Sequence, residues 1–79
     1  MKLVKKGARY YNAEYIRMIF IENYDGECYK VFARMYGDED GFVVLGETET
    51  LEAAEAIVEA IVDGGNIIDV IDVKKLAEM

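Results

Sequence analysis

The chain has 79 residues, 53% of them hydrophobic and 32% charged, which is enough apolar material for one small folded domain spanning residues 1–79. Its single cysteine, Cys28, excludes an internal disulfide, and the absence of histidine removes the commonest general base and transition-metal ligand. Sixteen acidic residues against nine basic ones give a net charge of −7, which disfavours direct binding to nucleic acid.

The amino-terminal segment is basic but is not followed by an unbroken apolar stretch, so we expect no secretory signal. No apolar run approaches the roughly 18–20 residues that a membrane-spanning helix needs. A small extracellular domain would usually contain several disulfides, whereas this chain has one cysteine. We therefore expect a cytoplasmic protein that does not bind a membrane.

The first half of the chain is predicted to alternate strands and turns. Residues 2–6 form a first strand that ends at Gly7, and residues 10–14 form a turn. Residues 15–22 are rich in β-formers and predict a second strand. Ile16, Met18 and Phe20 share one face, and Ile19 and Ile21 leave the other face only partly polar, so both faces of the strand could be covered.

A hairpin is predicted next, because the pair Asp25-Gly26 is typical of a tight turn between strands. Residues 28–36 alternate clearly in a third strand. The side chains predicted to face the core are Tyr29, Val31, Ala33 and Met35, and those predicted to face away are Cys28, Lys30, Phe32, Arg34 and Tyr36. A polar loop over residues 37–41 leads to a short fourth strand over residues 42–46.

One amphipathic helix is predicted from the cap Thr50 to Asp63, with Glu52 placed favourably in the first turn. Its apolar stripe consists of Ala54, Ile57, Val58, Ile61 and Val62. Gly64 ends the helix, because glycine readily takes the left-handed conformation. Residues 67–73 predict a last strand, and residues 74–79 a short helical end.

The predicted order is therefore β-β-β-β-α-β. We expect an α+β fold in which a small antiparallel sheet of four to five strands is covered on one face by a single helix.

Acidic residues are concentrated in one block of the sequence. Residues 37–63 contain nine acids and no base, whereas residues 1–10 contain four bases and no acid. On the predicted helix, acids recur every three or four residues with no lysine to relieve their repulsion. This pattern indicates either a solvated outer face or one continuous acidic field that binds a basic protein.

Other features allow fewer conclusions. Clustered carboxylates at residues 38–40 suit either weak calcium binding or a solvated turn, and the full ligand pattern of a calcium loop is missing. Cys28 is expected to be a small hydrophobe rather than a reactive thiol. The six tyrosines either line an interface or cover a thin core. We predict no catalytic residues, no metal ligands and no cofactor.

The motif Asn12-Ala13-Glu14-Tyr15-Ile16, the pair Leu45-Gly46 and the helix start Thr50-x-Glu52-x-Ala54 resemble those of a loose group of small proteins. These proteins come from Gram-positive bacteria, their phages and their mobile elements, and the resemblance covers roughly residues 10–73. It implies no catalytic residues. It implies a mobile-element setting, in which compact acidic proteins are often inhibitors of host defence, including anti-CRISPR proteins that imitate nucleic-acid charge.

Three functions follow as hypotheses. The leading one is a non-enzymatic interaction protein, an anti-CRISPR-like inhibitor that presents acids to a basic nucleic-acid-binding partner. The second is a homodimeric structural or accessory module that pairs through a sheet edge or through Ile19 and Ile21. The third is a small-ligand or enzymatic role. The predicted partner-binding residues are Asp38, Glu39, Asp40, Glu52, Glu55, Glu59, Asp63 and Tyr24.

Overall fold

A computed structural model gives the fold, and it describes residues 2–23, 26–37, 41–63 and 65–78. In chain order the elements are β1 (Leu3–Lys6), β2 (Arg9–Asn12), a short 3-10 helix (Ala13–Tyr15), β3 (Ile16–Asn23), β4 (Tyr29–Met35), β5 (Val43–Thr48), α1 (Leu51–Asp63), β6 (Ile67–Asp69) and α2 (Val70–Ala77). The α+β class is confirmed.

The strands form two sheets rather than the predicted one. The first sheet has the order β2-β1-β6, with β1 antiparallel to β2 and parallel to β6. The second sheet has the order β3-β4-β5 and is antiparallel throughout. The prediction of a single antiparallel sheet is therefore wrong, because β1 pairs with the end of the chain instead of joining β3.

Strand β2 replaces most of the predicted turn at residues 10–14. Gly7 has a φ of 60°, so the chain reverses there and Arg9 pairs back onto Lys6. Asn12 then acts locally as expected, since its side-chain oxygen accepts a hydrogen bond of 3.0 Å from the Glu14 backbone N–H. The turn thus begins two residues later than predicted.

The second sheet confirms the predicted alternation in β4. Val31 and Ala33 are fully buried, and Tyr29 and Met35 pack against the same core. In β3 the pairing shifts between Ile16 and Met18, which is a β-bulge. The bulge places Ile16, Ile19 and Ile21 together on the core side, so the predicted grouping of Ile16 with Met18 and Phe20 is wrong.

The helix α1 packs on the inner face of this second sheet. Thr50 caps it as predicted, since its hydroxyl oxygen accepts a hydrogen bond of 3.1 Å from the Ala53 backbone N–H. Ala54, Ile57 and Ile61 are buried, as the predicted stripe requires, and Val58 is half-buried against the core. Val62 is 64% exposed and does not belong to the stripe, whereas Ala53 is fully buried.

A second helix replaces most of the strand predicted over residues 67–73. Only Ile67–Asp69 is extended, and α2 then begins at Val70. The reason is local capping, because the Asp69 carboxylate accepts hydrogen bonds from the backbone N–H groups of Ile71 (3.1 Å) and Asp72 (3.3 Å). Val70 and Val73 then face the core one helical turn apart.

One hydrophobic core joins these layers. Its buried members come from both sheets and both helices: Val4, Val31, Ala33, Leu45, Ala54, Ile57, Ile61, Ile68 and Val70. None of the helices within the described residues is long and apolar enough to cross a membrane.

Candidate interaction surfaces

Four acidic side chains form a row along the solvent side of α1. This acid row consists of Glu52, Glu55, Glu59 and Asp63, and all four are exposed. At about 100° per residue, they fall within one narrow arc opposite the buried stripe. Their common face on α1 therefore follows from the same periodicity that buries Ile57 on the other side.

No described residue forms an ion pair with any member of the acid row. The basic residues near the amino terminus have other partners. Lys5 forms an ion pair of 3.6 Å with Asp69, and the Lys6 ammonium donates a hydrogen bond of 2.6 Å to the Val44 carbonyl. Among the described residues, therefore, no cation pairs with a carboxylate of the acid row.

The carboxyl end of α1 is stabilised by Lys2 rather than by a residue of the helix itself. The last turn of α1 contains no base, and Asp63 lies unfavourably at the negative end of the helix dipole. The Lys2 ammonium donates hydrogen bonds to the Ile61 carbonyl and, at 3.1 Å, to the Val62 carbonyl. Lys2 therefore satisfies backbone groups and does not pair with the acids.

One other acid of the 37–63 block, Glu47, does not extend the acid row. Glu47 lies on β5 opposite Lys30, on the sheet face that points away from α1. The expectation of one continuous field of nine acids is wrong at this position, because alternation along β5 turns Glu47 to the other side. Asp38, Glu39, Asp40 and Tyr24, also predicted to bind a partner, lie outside the described residues.

A second surface is formed by the outer face of the β3-β4-β5 sheet. Phe20 and Phe32 stack with ring centroids 5.2 Å apart, and Phe42 meets both edge-on at 5.4 and 6.3 Å. Met18 (45% exposed) and Val44 flank the three rings, and we call this surface the aromatic face. The side chain of Arg34 lies over Phe42, 4.5 Å from the ring centroid.

The sequence contains separate signals for parts of the aromatic face but does not bring its three rings together. The Asp-Gly turn predicts a β3–β4 hairpin, and in the observed register Phe20 lies directly opposite Phe32. The contribution of Phe42 was hidden, because a bulge shifts the pairing of β4 with β5. Sequence alternation alone does not locate that bulge.

The described tyrosines fall into two groups, one packed against the core and one exposed. Tyr11 and Tyr29 pack against the core, as expected for side chains that cover a thin domain. Tyr10, Tyr15 and Tyr36 are all more than half exposed. The five described tyrosines therefore do not all share one exposed surface.

A cleft with a volume of about 290 Å³ lies between the start of β3 and the end of α1. Its walls are mainly apolar, and its only charged groups are Lys2 and Glu14. The Lys2 ammonium already donates to two carbonyls. The described lining thus contains no grouping of nucleophile, base and orienting residue.

Within the described residues, no group of three or more acidic or cysteine side chains could hold a metal ion. Cys28 is partly buried, and its thiol donates a hydrogen bond of 3.4 Å to Glu47 Oε1. Comparisons with protein-family models, with curated proteins and with solved structures gave no match to this chain.

Proposed function

We propose that this chain is a non-enzymatic interaction protein whose acid row binds the nucleic-acid-binding groove of a basic partner protein and blocks it. The observation that supports this proposal best is that four exposed carboxylates share one face of α1 without a described ion pair. A helix selected for stability alone would place lysines among them.

The spacing of the acid row suits a groove that binds a nucleic-acid strand. Residues 52 to 63 span about 16 Å along the helix axis, at 1.5 Å per residue. The row therefore presents one charge per roughly 5 Å, which is comparable to one phosphate per about 3.4 Å along each DNA strand. Because α1 is anchored by its buried stripe, these charges need little ordering on binding.

The proposed setting is the cytoplasm of a Gram-positive bacterium that harbours a phage or another mobile element. The resemblance over residues 10–73 supports this setting, as does the single cysteine. In that setting the partner would be a host defence protein that binds nucleic acid, and this chain would act in the manner of anti-CRISPR proteins.

The test is affinity capture from host extract by the wild-type chain and by the double variant E55K/E59K. A matched control, E27K/D72K, reverses two exposed acids outside the acid row. Both variants change the net charge from −7 to −3, since each substitution adds two charges. Far-UV circular dichroism checks that both remain folded.

The proposal predicts that the wild type and the control capture the same basic protein and that E55K/E59K does not. Added nucleic acid should release the captured protein, and capture should weaken steeply as salt rises. Equal capture by all three chains would contradict the proposal, and so would a captured protein that nucleic acid does not displace.

A further inference from the structure

The apolar cleft between the start of β3 and the end of α1 has the size of a site for one side chain. Its volume is about 290 Å³, close to the lower limit of roughly 300 Å³ for small-ligand pockets. Val62 is 64% exposed and gives the cleft an apolar rim at the surface. The apolar walls consist of Ala13, Ile16, Ile19, Ile61 and Val62.

Hydrogen bonds link the two sides of the cleft. The Ala13 backbone N–H donates a hydrogen bond of 2.9 Å to the Lys2 carbonyl. The Lys2 ammonium in turn donates to the carbonyls of Ile61 and Val62. Lys2 thus ties the chain before β3 to the end of α1, so a ligand binds without first ordering the walls.

The two charged residues of the cleft are not equivalent. The Lys2 ammonium is engaged by carbonyls at the carboxyl end of α1 and offsets the partial negative charge there. The Glu14 side chain is exposed, and none of the described residues forms an ion pair with its carboxylate. The cleft therefore combines apolar walls with one uncompensated carboxylate, which favours a cationic ligand with an aliphatic stem.

The cleft also adjoins the acid row. Val62 follows Glu59 by three residues on α1, so their side chains are neighbours on the helix surface. Asp63, the last member of the acid row, comes directly after Val62. A basic protein surface that contacts the acid row therefore reaches the cleft.

We infer that the cleft binds an arginine side chain of the basic partner protein, an inference that rests on the proposed function. The aliphatic stem lies against the apolar walls, and the guanidinium pairs with the Glu14 carboxylate. Arginine suits this site better than lysine, because its guanidinium is more weakly hydrated and pairs with a carboxylate through two N–H groups. Arginine is also enriched among the residues that dominate binding at protein interfaces.

The test uses the isolated chain and propylguanidinium, which has the structure of an arginine side chain. NMR follows the backbone amide shifts at constant ionic strength up to about 50 mM probe, which brackets millimolar binding. We expect shifts centred on Ala13, Glu14, Ile61 and Val62, with a dissociation constant on the order of 1–10 mM. Guanidinium, which lacks the stem, and butyrate, which has the opposite charge, should bind at least about fivefold more weakly.

Two pairs of variants locate the site. E14Q should weaken propylguanidinium binding about threefold, whereas E52Q, which removes a carboxylate from the other end of α1, should leave it unchanged. V62S should also weaken binding about threefold, whereas L76S, which changes an exposed apolar residue of α2, should not. All four positions are exposed, so these variants should remain folded.

An absence of localised shifts would overturn the inference, as would equal binding of guanidinium or tighter binding of butyrate. In the partner-capture assay, V62S should retain about threefold less protein than L76S. Full capture by V62S together with loss of capture by E55K/E59K would overturn this inference and leave the acid-row proposal intact. Failure of the proposed function is a different result, in which E55K/E59K captures as much protein as the wild type.

Discussion

The two faces of the β3-β4-β5 sheet differ in a way that side-chain size alone would not suggest. The inner face is largely aliphatic, and Val31 and Ala33 are fully buried there beneath α1. The outer face bears three phenylalanines that contact one another. Burial is thus decided by which face the helix covers.

The largest expected effect comes from truncating the inner layer. Ile57→Ala should lower the free energy of unfolding by about 3 kcal/mol, because Ile57 is fully buried and its loss leaves a cavity. The matched outer-face variant Phe32→Ala should cost less, about 1–2 kcal/mol, because Phe32 is only half-buried although it stacks on Phe20. Urea unfolding at low micromolar concentration measures both, and an equal cost would remove the distinction between the faces.

Removing the cap of α1 should have a smaller effect on the same inner layer. Thr50→Ala deletes the acceptor for the Ala53 backbone N–H and should cost about 1 kcal/mol. Thr50→Ser keeps the hydroxyl and should stay close to the wild type in urea unfolding. If both variants lose the same stability, the cap is not the cause.

A similar loss in the free energy of unfolding is expected at the start of α2. This is where the sequence predicted a strand over residues 67–73 and the structure has a helix from Val70. Asp69→Ala should destabilise by about 1 kcal/mol, because two backbone N–H groups lose their acceptor. Asp69→Asn should retain most of the stability. Backbone chemical shifts that are extended through Val73 would contradict the helix.

The smallest expected effect is an increase in the free energy of unfolding rather than a decrease. Glu59→Lys should stabilise the chain by about 0.5 kcal/mol, because it replaces two like-charge contacts at four-residue spacing, to Glu55 and Asp63, with attractive ones. Glu59→Gln should give roughly half of that gain. Thermal unfolding in low salt measures the change. A lysine variant less stable than the wild type would show that repulsion within the acid row does not destabilise α1.

The sequence predicted best where one local rule acted alone. The cap at Thr50, the alternation of β4 and the buried stripe of α1 each depend on neighbouring residues, and each was found. At residues 70–73 the β-branched run favoured a strand, but the Asp69 side chain starts a helix. The pairing of β1 with β6 could not be foreseen, because it joins residues more than 60 positions apart.

The two candidate surfaces also differ in whether neighbouring residues or distant strand pairings determine them. The acid row could be placed from helical periodicity, whereas the position of Glu47 depends on the register of β5. The aromatic face required both strand registers and two bulges. A surface that lies on one helix can thus be predicted from the sequence, and one that spans three strands cannot.

We propose that the acid row, and not the aromatic face, binds the basic partner protein. Quantitative partner capture by F32E and by E55K/E59K, side by side with the wild type, tests it most directly. We expect full capture by F32E and at least about a tenfold loss for E55K/E59K. Loss of capture by F32E with full capture by E55K/E59K would contradict it.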